Sequence, residues 1–165
     1  MIRDAARDFA QTELLPGVIE RDEKQEFPAE QIKKLGELGF MGMMVLPENG
    51  GSGMDTLSYV LAIEELSKID ASASVVVSVN NSLVCWGLEA FGSPEQKAKY
   101  LPRLASGEII GSFCLSEPEA GSDATSQATT AVDMGDHYLL NGTKNWITNG
   151  GTCEITLVIA QTDRE

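Results

Sequence analysis

Two hydroxyls, a glycine and a turn-forming proline lie close together in Ser116-Glu117-Pro118-Glu119-Ala120-Gly121-Ser122-Asp123. Backbone N–H groups beside a glycine can form a concave nest for an anion, and the hydroxyls of Ser116 and Ser122 can donate alongside them. Taken alone, such a loop is most often an ordinary turn. Glu117, Glu119 and Asp123 could not favour an anion directly. They are expected to face away or to cap neighbouring N–H groups. Glu64-Glu65 has the look of a catalytic carboxylate pair. Adjacent helical positions point in different directions, so one buried and one solvated residue is the better reading. His137 falls in an expected strand and is read as a surface residue.

Composition narrows the options. The chain has 165 residues and a formal net charge of −13. A nucleic-acid partner needs a basic surface and is excluded on that ground. An anionic ligand would have to be held by local N–H groups and hydroxyls against the overall field. Cys85, Cys114 and Cys153 form no Cys-x-x-Cys pair, and there is a single histidine. A zinc site is therefore not expected, and free thiols suit a reducing compartment. No secretory signal is read before the first helix and no apolar run is read as long enough to span a bilayer, so the protein is expected to be soluble and intracellular.

The elements that position these residues divide near residue 108. Ile2, Ala5, Ala6 and Phe9 fall at helical spacing, and Leu14-Leu15-Pro16 ends or kinks that helix. The charged stretch from Glu20 to Glu26 reads as solvated surface. Pro28 opens a second helix with Ile32, Leu35 and Leu38 as its buried stripe and Gly39 as its stop. Asn49 to Gly53 is a loop without a phosphate-binding lysine pattern. Asp55 caps a third helix whose apolar face is Leu57, Val60, Leu61 and Leu66. Asp70 starts a helix reaching Phe91, although Val75-Val76-Val77 favours strand by propensity. Ser93-Pro94-Glu95-Gln96 is a capping box opening a short helix to about Tyr100, and Pro102 opens another helical turn.

From Ile109 the pattern becomes β-like: Ile109 to Leu115, Ser126 to Val132, His137 to Leu140, Thr143 to Thr148 and Cys153 to Gln161. Asp133 to Asp136 is a turn. Asn141-Gly142 predicts a two-residue hairpin joining His137–Leu140 to Thr143–Thr148. Four or five strands would leave an open edge, and Thr162 to Glu165 looks like a cut within a longer chain. The fold class is α+β: an all-α region at 1–108, then part of an antiparallel β-barrel or sandwich at 109–165.

Phe113 to Asp123, Leu140-Asn141-Gly142-Thr143-Lys144 and Trp146-Ile147-Thr148-Asn149 together resemble the flavin-binding segments of the acyl-CoA dehydrogenase family, in the butyryl-CoA dehydrogenase-like, short- or branched-chain group. The resemblance runs over nearly the whole chain. It implies an N-terminal helical domain and part of the middle β domain, with the C-terminal helical domain absent. It implies FAD as cofactor, with Phe113, Leu115 and Ser116 along the flavin ring. Gly121 and Ser122 would lie at the pyrophosphate, Ser122 also meeting the substrate. Trp146 would stack on the ring, with Ile147 and Thr148 beside it.

The implied reaction is α,β-dehydrogenation of an acyl-CoA thioester to the 2-enoyl-CoA, with hydride transfer to FAD N5. Electron transfer flavoprotein is the implied electron acceptor and a homotetramer the implied full-length assembly. The implied location is the bacterial cytoplasm or the mitochondrial matrix. The family's catalytic base lies in the C-terminal domain, so no residue here is assigned that role and this stretch alone is expected to be inactive. The alternative is a non-catalytic helical interaction module with a docking β segment.

Overall fold

Apolar residues at helical spacing, with side-chain caps at Asp55, Asp70 and Ser93, build the first two-thirds of the molecule. The structure, a computed structural model, describes residues 1–163, so Arg164 and Glu165 of the expected cut lie outside the described residues. Helix α1 (Ile2–Phe9) continues through a π-helical turn (Ala10–Leu14) and buries Ala6, Phe9, Ala10 and Leu14. It packs on α4 (Thr56–Ser67). There Glu65 accepts from Arg3 Nε at 2.8 Å, Arg7 Nε at 3.0 Å and Lys68 Nζ at 3.0 Å. Those three cations hold the Glu65 carboxyl far below the usual carboxylate range, the Arg7 hydrogen bonds contributing most. Glu64 stays half-exposed, as the spacing predicts.

The face of α4 differs from the expected one. Tyr59, Ala62, Glu65 and Leu66 are buried, while Leu57 and Val60 are exposed. The ion-paired Glu65 occupies a core-facing place that hydrophobic patterning assigns to a leucine. Helix α3 (Ala29–Glu37) buries Ile32 and Leu35, but Leu38 lies just past its end and is exposed. Gly39 adopts φ 82°, the left-handed conformation that stops a helix. Helix α2 (Val18–Lys24) is mostly solvated, with one exception. Arg21 donates to Leu14 O at 2.6 Å, to Pro16 O at 2.9 Å and to Asp70 Oδ2 at 3.1 Å.

Asp70 caps α5 (Ala71–Val79), its side chain accepting from Ala73 N at 2.9 Å. The valines are therefore helical. A π-helical turn (Asn80–Cys85) and α6 (Trp86–Phe91) extend the same run. Ala71–Phe91 is 21 residues and is long and apolar enough, by length and composition, to cross a membrane. That corrects the expectation that no run here is. Half of it is buried inside the fold, which is the behaviour of a core helix. Helix α7 (Pro94–Ala105) begins with the predicted capping box and runs unbroken through Pro102, replacing the two short helices expected. Buried Leu101 and Leu104 hold it continuous across the proline.

The β region departs most from expectation. Strand β1 (Gly111–Cys114) pairs in parallel with β4 (Ile155–Val158), Gly111 opposite Ile155 and Cys114 opposite Val158. Strand β2 (Thr130–Asp133) pairs antiparallel with β3 (Tyr138–Asn141). The sheet is thus mixed rather than antiparallel throughout. It forms two two-stranded pairs, linked where Ala131 N donates to Gln161 O and Gln161 N to Thr129 O, each at 2.9 Å. The expected turn at Asp133–Asp136 joins β2 to β3.

The hairpin predicted at Asn141-Gly142 does not form, and residues 143–148 are not a strand. A Cβ at Gly142 would stand 2.2 Å from Thr129 Oγ1, so this glycine serves a close backbone approach there. The segment after it bonds to the end of β1 instead. The sheet joins the helices through Asn80, whose buried amide donates to Met41 O at 2.9 Å and Leu104 O at 3.1 Å and accepts from Gly111 N at 3.2 Å.

Candidate functional site

The site is built where the chain leaves β1 and where residues 144–149 run back beside it. Asn145 N donates to Ser116 O at 2.9 Å, and Asn149 Nδ2 donates to Gly111 O at 3.0 Å. These contacts run in opposite senses along the two segments. Trp146, Ile147 and Thr148 lie between the two anchors, alongside the stretch that carries Phe113, Leu115 and Ser116. Segments more than 25 residues apart in sequence thus meet as the pattern predicts.

Side chains at this junction are available to a ligand. Trp146 is 93% exposed. Its φ is 60°, and Asn149 has φ 65°. A left-handed backbone at a bulky residue costs on the order of 1–3 kcal/mol and is found where surrounding structure over-determines it, often at ligand sites. Phe113, Leu115, Ser116, Ile147 and Thr148 are half-buried, whereas Gly121 and Ser122 are exposed. A Cβ built at Gly121 would meet nothing within 4 Å, so no protein packing demands glycine there. The donor set suits a cofactor with a planar ring and a diphosphate: one exposed aromatic, hydroxyls at 116, 122 and 148, and a loop open to close approach.

Two of the three acidic residues of the loop, Glu117 and Asp123, are used internally, and Glu119 is exposed. Glu117 is buried and accepts from Ala128 N at 2.6 Å and Thr129 N at 3.0 Å. Lys144 Nζ donates to Glu117 Oε1 at 2.7 Å, to Leu115 O at 2.9 Å and to Gln127 Oε1 at 3.1 Å. The Lys144 ammonium, helped by the Thr129 and Ala128 contacts, pulls the Glu117 carboxyl down to about 2. Asp123 accepts from Thr125 Oγ1 at 2.7 Å and from Ser126 Oγ, which holds its carboxyl below the usual range. The role of Lys144 is absent from the sequence reading, although a signal for it exists. It is the one lysine or arginine between Arg103 and Arg164, so any buried acid in that stretch had one local cation to pair with.

Elsewhere, a cavity of about 720 Å³ lies between α2 and the start of α5, with Arg21, Phe27, Asp70 and Val76 in its wall; Asn149 reaches it from the site segment. Burial pushes the Cys85 thiol up to about 12, so it stays protonated and unreactive. His137 is exposed on the β2–β3 turn.

A helical region leads into a small mixed sheet, and the tryptophan segment is anchored beside β1 and its end. Residues 1–108 match the model of the acyl-CoA dehydrogenase N-terminal domain, and residues 112–165 match that of the acyl-CoA dehydrogenase middle domain. The chain belongs to the acyl-CoA dehydrogenase family. It is 46% identical over 164 residues to the short-chain specific acyl-CoA dehydrogenase of Clostridium acetobutylicum, covering 99% of this chain and 43% of that one. It is 47% identical to the mitochondrial short-chain specific enzyme of Mus musculus, covering 99% and 40%.

Among solved structures, it superposes with TM-score 0.95 and 48% identity on one described as "Electron transferring flavoprotein of Acidaminococcus fermentans: Towards a mechanism of flavin-based electron bifurcation", covering 99% of this chain and 43% of that one. It superposes with TM-score 0.91 and 37% identity on an acyl-CoA dehydrogenase complexed with FAD from Bacillus anthracis, covering 98% and 28%. The chain spans about two-fifths of the length of the curated relatives it matches.

Proposed function

We propose that this chain is the N-terminal helical domain (1–108) and part of the middle β domain (109–165) of an FAD-dependent acyl-CoA dehydrogenase acting on short or branched acyl chains. The observation that carries the reading is the meeting of Ser116 with the Trp146 segment through the Asn145–Ser116 hydrogen bond. The names of the 46–47% identical relatives support the chain-length class. FAD, when bound, would accept the substrate's β-hydrogen as hydride at N5. Phe113, Leu115 and Ile147 offer the apolar contacts along its ring, and the exposed Trp146 a stacking face.

The hydroxyls of Ser116 and Thr148 would donate to polar atoms at the ring edge, where developing charge is best stabilised by fixed donors. Gly121 and Ser122 would take the pyrophosphate through backbone N–H groups, with the Ser122 hydroxyl also meeting the thioester substrate. The base that removes the α-proton is assigned to the longer protein, outside this chain. Electron transfer flavoprotein is the proposed electron acceptor, a homotetramer the proposed assembly, and the bacterial cytoplasm or mitochondrial matrix the proposed setting.

The full-length protein should purify yellow and bleach when given a short acyl-CoA such as butyryl-CoA. A colourless protein that stays so when FAD is supplied rules the enzyme reading out. It would favour the docking-module alternative, which draws on exposed apolar side chains on the two sides of the β2–β3 hairpin, Val132 and Leu139 on one and Tyr138 and Leu140 on the other.

A further inference from the structure

We infer that Glu117 and Lys144 form a positioning clamp that sets the distance between the ring-facing and phosphate-facing parts of the proposed flavin site; this rests on the flavin reading above. Lys144 is the sole lysine or arginine between Arg103 and Arg164. In a chain of net charge −13 it would be the obvious ligand for a pyrophosphate. Its surroundings rule that out. All three N–H donors of its ammonium are matched by Leu115 O, Glu117 Oε1 and Gln127 Oε1. The side chain is 9% exposed and that of Glu117 is 5% exposed. Lysine has three donors, so none remains for a phosphate. The pyrophosphate is left to N–H groups and hydroxyls.

The charge is spent on geometry instead. Glu117 directly follows Ser116, and Lys144 stands two residues before Trp146. Between Glu117 and the Gly121 loop, the chain closes on itself by reciprocal bonds, Glu117 N to Ala120 O at 2.9 Å and Ala120 N to Glu117 O at 3.2 Å. The second carboxylate oxygen reaches Ala128 N at the approach to β2. Two side chains therefore tie three pieces of backbone, the end of β1, the start of β2 and the tryptophan segment, and the Glu117–Ala120 main-chain bonds carry the glycine loop with them. A buried ion pair adds little net stability, because desolvation offsets attraction, yet breaking it one-sidedly is costly. Its contribution here is the register between Ser116, Gly121 and Trp146. Each group acts through the residues beside it.

The test uses the full-length protein and its variants Lys144→Met, Glu117→Gln, the double variant, and Lys144→Arg. The readouts are FAD affinity of the apoprotein, position and fine structure of the bound-flavin absorption band, and apoprotein melting. Each single neutral variant should bind FAD at least about tenfold more weakly and shift the flavin band. The double variant leaves no lone buried charge and should melt close to wild type, yet keep the weak affinity and the shifted band. Lys144→Arg keeps the charge, but its planar fork cannot reproduce three divergent bonds; it should weaken FAD binding several-fold with little change in melting. Recovery of affinity and band shape together with melting in the double variant would make the pair purely structural and overturn the clamp. Wild-type-like affinity in Lys144→Arg also counts against it. A wild-type protein that takes up no FAD overturns the flavin reading itself, an outcome distinct from both.

Discussion

The helical and β regions of this chain are held together by different means. The helices bury a continuous core, from Ala6 and Phe9 through Ile32, Leu35, Phe40, Met41 and Leu66 to Val77. A second cluster, around Val84, Leu88, Leu101 and Leu104, reaches Ile109 and takes Ile155 and Leu157 from β4. The β2–β3 hairpin has little of this. All four residues of β3 are exposed, and Ala131 is the buried residue of β2. What fixes the β region is directional: backbone pairing, the Glu117–Lys144 pair and the Asn80 tie to the helices. A region organised by hydrogen bonds rather than by burial keeps its apolar and hydroxyl groups outward, where a cofactor or further protein can use them.

Five experiments would break or sharpen this contrast. Asn80→Ala should have the largest effect. It strands Met41 O and Gly111 N, which each cost about 1–3 kcal/mol when unpaired, while Leu104 O keeps Gly107 N at 3.1 Å, for a loss of about 3 kcal/mol in chemical denaturation. Because Asn80 spans both regions, helical and sheet signals should fall together. Separate transitions would mean that the β region folds without the helices.

A matched pair of leucines comes next. Leu66→Ala in the helical core should cost about 3 kcal/mol, whereas Leu140→Ala in β3 should stay within about 0.5 kcal/mol. Equal losses would erase the distinction. Acid should then separate the two regions. The Glu117 carboxyl is lowered on folding, so its stabilisation is full at neutral pH and is lost as pH falls from about 4.5 toward about 2. Glu65 is lowered too, but the helical region around it keeps its buried core when that carboxylate is protonated. Acid titration followed by site-resolved spectra should show the β region loosening first, and Glu117→Gln should flatten that early limb.

Ser93→Ala removes the α7 cap, where Ser93 Oγ accepts from Gln96 N at 3.3 Å, and should cost about 1 kcal/mol by thermal melting. The smallest effect on stability belongs to Trp146→Ala. That side chain is almost wholly in water, so melting should move by less than about 0.5 kcal/mol. Under the proposed function the same change should sharply reduce FAD retention by the full-length protein. A large stability loss with unchanged FAD binding would reassign Trp146 to the fold.

Legibility in the sequence followed contact distance. Asp55, Asp70 and Ser93 were readable as caps because each side chain bonds a backbone N–H three residues away. The Ala71–Phe91 helix was readable despite its valines because its cap and its length agree. The α4 face was not, since burial of Glu65 depends on Arg3 and Arg7, about 60 residues distant. The Asn141-Gly142 hairpin failed for a like reason. A sound local turn signal lost to Thr129 packing over Gly142 and to Lys144 anchoring on Leu115 and Glu117.

The sequence by itself determined which side chains cap the helices and where helices give way to strands. Those properties are set by residue type and by interactions within one turn of chain. Tertiary structure alone decided that β1 and β4 run parallel, that Trp146 stands outward in a left-handed backbone, and that Lys144 is consumed inside the fold. Each of these depends on groups 17 or more residues apart, or on how the two segments settle against each other, and no local preference encodes that.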